Sequence, residues 1–143
     1  MENKRYRPKI DKLFYWLLIP TMIIVILPVI LCGIAVPTTL FITVPIFLFT
    51  TYFFITTLFG YAELRESTLF IKYGFIMEKE IPYDKIRGIE KERKFISHSV
   101  MSIKNALDHI NIKYNKFDVT TLSLNDENEF IQELNSKCGG RLV

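Results

Sequence analysis

Between Leu13 and Ala62 the chain runs for fifty residues without Asp, Glu, Lys, Arg or His. The hydrocarbon core of a bilayer is about 30 Å thick, and a helix rising 1.5 Å per residue crosses it in about 20 apolar residues. The run is too long for one such helix and suits two. Leu13 to Ile34 and Thr38 to Phe59 divide it, with Val36-Pro37-Thr38-Thr39 as the turn, because proline lacks an amide hydrogen and holds its predecessor extended. Pro20, Pro28 and Pro45 fall inside the spans, where membrane helices tolerate proline if hydroxyls meet the freed carbonyls; Thr21, Thr43, Thr50 and Thr51 are the candidates. A soluble helix pair would show a polar face, and none is present. A secretory signal ending at Gly33-Ile34-Ala35 would have too long an apolar region, and a second span follows it. Leu31 before Cys32 stands where a lipoprotein site needs a small residue.

Basic residues near the span ends set orientation. The arm, residues 1–12, carries Lys4, Arg5, Arg7, Lys9 and Lys12 against Glu2 and Asp11, which accounts for the whole formal charge of +3. The turn is uncharged, and Arg65 and Lys72 follow the second span, so both termini are expected in the cytoplasm. Tyr15 and Trp16 at one end, with Tyr52 and Tyr61 at the other, suit interfacial anchors or helix packing. The arm either lies against anionic headgroups or only sets topology. The remainder is charge-balanced, so the basic balance is no sign of nucleic acid binding. Cys32 falls within the apolar run and Cys138 in the cytoplasmic part, so no disulfide is expected, and no metal-ligand spacing appears.

Residues 60–143 are enough for one small domain. Thr68 to Phe75 alternates, with Leu69, Ile71, Tyr73 and Phe75 on one side; Gly74 breaks it before Met77 to Ile81, which predicts a hairpin. Pro82 to Lys85 turns the chain into a strand reaching about Arg93. His109 to Tyr114 alternates again, with Ile110, Ile112 and Tyr114 opposite His109, Asn111 and Lys113; Asn115 to Asp118 turns it, and Val119 to Leu122 returns. Ser123 to Asp126 fits a capping pattern before a helix with Phe130, Ile131 and Leu134 in a stripe, closed by Lys137 and Gly139-Gly140. The expected fold class is α+β: a transmembrane helical hairpin, then a bent antiparallel sheet or barrel capped by a C-terminal helix.

From Ile81 to Leu134 the residues resemble bacterial pleckstrin-homology domains of the YyaB-like type. The likeness rests on Ile81, Pro82, Ile86 and Ile89 in a strand pair, on Ser97, Ser99 and Ser102 in the serine-rich link, and on Asp108, Ile110, Ile112 and Tyr114 in the following strand. His109 stands where that family usually has arginine, and Leu124 where its helix start has proline. The resemblance implies a protein of the bacterial cell membrane with one or two N-terminal spans and a small cytoplasmic domain. Some small membrane-anchored proteins that resemble this one give a producing cell immunity to its own peptide bacteriocin, the sublancin type among them, so the resemblance implies a peptide toxin or its membrane target as a partner beside the bilayer.

Chemistry is sparse. His98 and His109 are the two histidines, and their sequence neighbours Ser97, Ser99 and Asp108 project to the opposite side of an extended chain. No glycine-rich phosphate loop or zinc-protease motif appears, and neither catalysis nor a cofactor is expected. The candidate partner- or lipid-binding residues are Lys85, Arg87, Lys91 and Arg93, which form a row if odd positions share a face, with Glu90 and Glu92 turned aside. A solvated mixed-charge face is the other reading. Tyr83 and Phe95 at the row's ends read as core residues first and contacts second. His109, Asn111 and Lys113 form a second candidate face. Two non-catalytic readings stand side by side, an interaction scaffold and an immunity protein, with a membrane enzyme disfavoured.

Overall fold

A computed structural model describes residues 4–56, 58–96, 99 and 102–142. The apolar run forms two packed helices, α1 (Lys12–Ala35) and α2 (Leu40–Thr56), joined through Val36 and a single 3-10 turn at Pro37–Thr39. The turn forms where proline ends one helix: Val36 N–H still reaches Cys32 O at 2.8 Å, and Thr39 Oγ1 donates to Val36 O at 2.7 Å. Gly33 lets the helices close, since a Cβ there would lie 2.8 Å from Leu40 Cδ2. The threonines bond the carbonyls four residues back, Thr21 to Leu17, Thr43 to Thr39 and Thr50 to Ile46. None of these is the carbonyl freed by proline at Pro20, Pro28 or Pro45 (residues 16, 24 and 41), so the expected compensation is not what these hydroxyls do.

The helices differ in length. Among the described residues, α1 is the one helix long and apolar enough to cross a membrane, and α2, with 17 residues, is shorter than the span expected from 38 to 59. Helix α2 stops early because the chain must turn into the domain: Gly60 is buried, and Tyr61, expected near a membrane interface, opens a strand.

The domain is two four-stranded sheets and a helix. Strands β1 (Arg5–Tyr6), β2 (Tyr61–Leu64), β3 (Thr68–Tyr73) and β4 (Met77–Pro82) form the first sheet in that order. Strands β5 (Ile86–Arg93), β6 (Ser102–Ile103), β7 (Asp108–Tyr114) and β8 (Asp118–Leu122) form the second, in the order β5-β7-β8-β6, with β6 parallel to β8 and the other pairs antiparallel. The alternation in β3 and β7 places Leu69, Ile71, Ile110 and Ile112 between the sheets, each fully buried. Gly74 (φ 71°) and Asn115 (φ 49°) take the left-handed conformations that the two hairpin turns require. Phe75, grouped by alternation with Leu69, Ile71 and Tyr73, lies instead in the turn and is exposed. Helix α3 (Glu127–Lys137) presses Phe130 and Leu134 into the core. Ser123 does not cap it: Asp126 is the capping position, and Ser123 Oγ is buried, its backbone tied to Lys9 and Ile103.

The arm is not a separate element. Arg5 and Tyr6 pair with Glu63 and Ala62, and Pro8 bridges Leu124. Asp11 N–H donates to Asn105 O at 2.9 Å, and its carboxylate accepts from Leu107 N–H at 3.0 Å. Tyr6 is buried against Phe130, ring centroids 5.0 Å apart and nearly perpendicular, and its hydroxyl donates to Glu133. Arg5 meets the buried Glu63 carboxylate at 2.9 Å, and Arg65 approaches the same carboxylate at 3.3 Å. The domain therefore includes residues on both sides of the helix pair.

Candidate functional site

The expected row of cations is not present. A β-bulge between Ile86 and Gly88 adds one residue to β5, so positions before and after it no longer share a face. Lys85 is exposed at the end of a 3-10 turn (Tyr83–Lys85), and Arg87 leans away to donate to the carbonyls of Asn115 and Lys116 at 3.4 and 3.1 Å. Lys91 and Arg93 lie at the other end of β5. Tyr83 is core, its hydroxyl donating to Arg65 O at 2.6 Å, whereas Phe95 is exposed.

Lys91 and Arg93 do share a site, a groove of about 690 Å³ between the ends of β5 and β7 and the start of α3. Pairing through the antiparallel register sets Arg93 opposite Asp108, and the Ser123–Asp126 link brings the first turn of α3 over them. Each cation here already has an acceptor. Lys91 lies 3.4 Å from Glu127 and also donates to Asn128, Arg93 lies 3.6 Å from Asp108, and Lys9 of the arm lies 3.4 Å from the same carboxylate. The lining carries Lys9, Lys91 and Arg93 against Glu92, Asp108, Asp126, Glu127 and Glu129, so the groove is net acidic. That balance suits a basic partner rather than an anionic headgroup.

The second expected face is closed. His109 and Asn111 are buried, and a hydrogen-bonded chain crosses three strands: Thr121 Oγ1 donates to Asn111 Oδ1 at 2.7 Å, and Asn111 Nδ2 donates to Glu92 Oε2 at 2.8 Å. His109 Nδ1 lies 2.8 Å from Leu107 O, and its Nε2 lies 3.7 Å from Glu92 Oε2. Only Lys113 reaches the surface, paired with Glu90 at 2.6 Å. The Thr121–Asn111–Glu92 chain ties the three strands in register, while His109 Nε2 is buried without a hydrogen-bond partner. A Thr and an Asn at facing positions were the available signal, unreadable until β7 and β8 were placed in register. His98 and Ser97 lie outside the described residues.

A smaller cavity, about 230 Å³, lies where α1 leaves the domain, walled by Leu13, Phe14, Leu17 and Phe95 with Lys104 at its side. The Lys104 ammonium is buried without a hydrogen-bond partner, and burial lowers its pKa. Among the described residues no group of His, Cys, Asp and Glu is arranged to hold a metal ion.

Residues 60–138, more than half of the chain, match the bacterial PH domain family. No curated protein and no solved structure matches the chain. The match covers β2 to α3, and the α+β fold with a C-terminal helix is the class that the strand and helix patterns predicted, its strands lying in two sheets with one parallel pair. By that match this chain belongs to the bacterial PH domain family.

Proposed function

We propose that the protein is a non-catalytic binding module held on the cytoplasmic face of the membrane by its helix pair, and that it protects its own cell from a peptide bacteriocin. PH domains are in general non-catalytic modules, which supports the first part. The anchor rests on one observation. Strand β1 precedes α1, strand β2 follows α2, and the two strands pair, Arg5 with Glu63 and Tyr6 with Ala62. A chain that leaves the domain and returns to the adjacent strand keeps both ends of the hairpin on one side of any bilayer it enters. The helices expose apolar side chains on the sides turned away from each other, Trp16 and Phe41 at 80 % and 85 %, which water disfavours and lipid accepts. At 17 residues, α2 is at the short end of spanning lengths of about 17–25 residues.

The ligand reading follows the groove. A net acidic cleft beside the start of α1, as Lys9 in its wall indicates, suits a cationic peptide arriving at the membrane surface. Deleting the gene should sensitise cells to the bacteriocin of the same strain, and a triple variant Asp126→Asn, Glu127→Gln, Glu129→Gln should complement poorly at normal protein levels. Full resistance after deletion would leave the scaffold reading and remove the immunity one. Reporter fusions at both termini check the topology: an outward C-terminus overturns the anchor.

A further inference from the structure

Outside the helix pair and the link that joins it at Val36–Thr39, seven large apolar side chains stand exposed among the described residues. Six of them, Phe59, Phe75, Ile76, Met77, Phe95 and Ile96, lie at the end of the domain where α1 starts and α2 finishes. The Phe75 ring is 5.0 Å from that of Phe59, and Gly74 backs onto Thr56, the last residue of α2. Phe95 shares the junction cavity with Leu13, Phe14 and Leu17 of α1. The seventh, Phe117, sits in the β7–β8 turn, which the pairing of Ile86 with Tyr114 and Arg93 with Asp108 places about 20 Å from the Arg93 end of β5, where the Phe95–Ile96 segment begins.

Chance exposure would scatter such residues over both ends of the sandwich, and contiguous exposed apolar surface on a small domain marks a contact. The two tips straddle the base of the helix pair, one against the exit of α2 and one against the start of α1. Gly74-Phe75-Ile76-Met77 carries no charge, and Ile76 and Ile96 are 75 % and 76 % exposed. We infer that this end of the domain is a lipid-docking surface: the β3–β4 tip and the Phe95–Ile96 loop enter the interface of the leaflet next to the helices. Two apolar contacts on opposite sides of the anchor hold the domain seated on the bilayer instead of swinging from it. The occupant is the lipid surface, because the tips continue the apolar surface of the helices. The inference rests on the membrane-anchor reading.

The test uses the full chain with Cys32→Ser and Cys138→Ala, carrying one environment-sensitive fluorophore at Ile76→Cys, Ile96→Cys, Phe117→Cys or Leu27→Cys. Each labelled chain is reconstituted in phosphatidylcholine–phosphatidylglycerol vesicles and exposed to nitroxide-bearing lipid and to aqueous iodide. The expected result is several-fold stronger lipid than iodide quenching at positions 76, 96 and 27, and the reverse at 117. If position 27 is lipid-quenched while either tip responds to iodide as 117 does, the docking fails and the anchor stands. Tips shielded from both quenchers mean that protein, such as a second copy, covers them, which also overturns the docking. Iodide quenching at position 27 overturns the anchor and the docking together.

Discussion

Tyr73 and Thr120 show how much one polar contact between the sheets is worth. Their hydroxyls share a hydrogen bond of 2.5 Å in the core, the Tyr73 side from β3 and the Thr120 side from β8. Thr120→Val leaves the phenol buried without that partner and should cost about 1–3 kcal/mol, and adding Tyr73→Phe should recover part of the loss, because deleting both polar groups removes the unmet demand. Urea unfolding followed by circular dichroism measures both. Burial pushes the Tyr73 phenol up to about 12 from its usual 10.0. The neutral form is favoured in the folded state, so this contribution is complete below about pH 10 and is lost as the pH rises toward about 12. Burial raises Tyr6 and Tyr83 too, so Tyr73→Phe should make the alkaline loss of stability shallower without abolishing it. At this scale the alternation of β3 told which side of Tyr73 was apolar. It could not identify Thr120, which lies 47 residues away on another sheet.

Elements with a full period were legible. Strands β3, β4, β5, β7 and β8 and helix α3 each carry alternation or a stripe long enough to read, bounded by glycine, proline or Asn-Asp turns. Strands β1 and β6, of two residues each, carry no period, and β2 hides in the tail of the apolar run. The arm is the consequential omission, because Tyr6 is fully buried in the domain core against Phe130. A fragment of residues 60–143 should lose stability on the order of 3–5 kcal/mol, as an aromatic-to-alanine change in a core does, from a total that is only about 5–15. Such a fragment should give a poorly dispersed amide NMR spectrum. Restoring residues 4–11 through a flexible linker ahead of Gly60 should recover dispersion. The bulge in β5 is the other element-scale surprise: one extra residue leaves Lys91 and Arg93 together and separates Lys85 and Arg87 from them.

For the whole molecule, the decisive place is the hand-off from α2 to the first sheet. Gly60 is buried there, and a Cβ at that position would lie 2.8 Å from Lys72 O and 2.7 Å from Ile103 Cδ1, one of them backbone that cannot step aside. Gly60→Ala should therefore shift the helix pair relative to the domain and lower the melting temperature by several degrees, whereas Gly88→Ala, with nothing within 4 Å, should change it little. Limited proteolysis between α2 and β2 should accelerate only in the first variant. Since β1 and β2 lie on either side of the hairpin in sequence and side by side in space, strain at Gly60 is carried directly to the arm.

Residue type alone determined the two apolar helices, their proline turn, the hairpins and the amphipathic last helix, because each depends on neighbours within one or two turns of chain. Only the tertiary structure decided that the arm is a strand, that His109 is buried beside Glu92, and that Lys91 and Arg93 face carboxylates of α3 and β7. Those outcomes are set by pairing between residues far apart in sequence, where register, a single bulge and the closing of one sheet on another choose the partner. Local pattern holds no record of that choice.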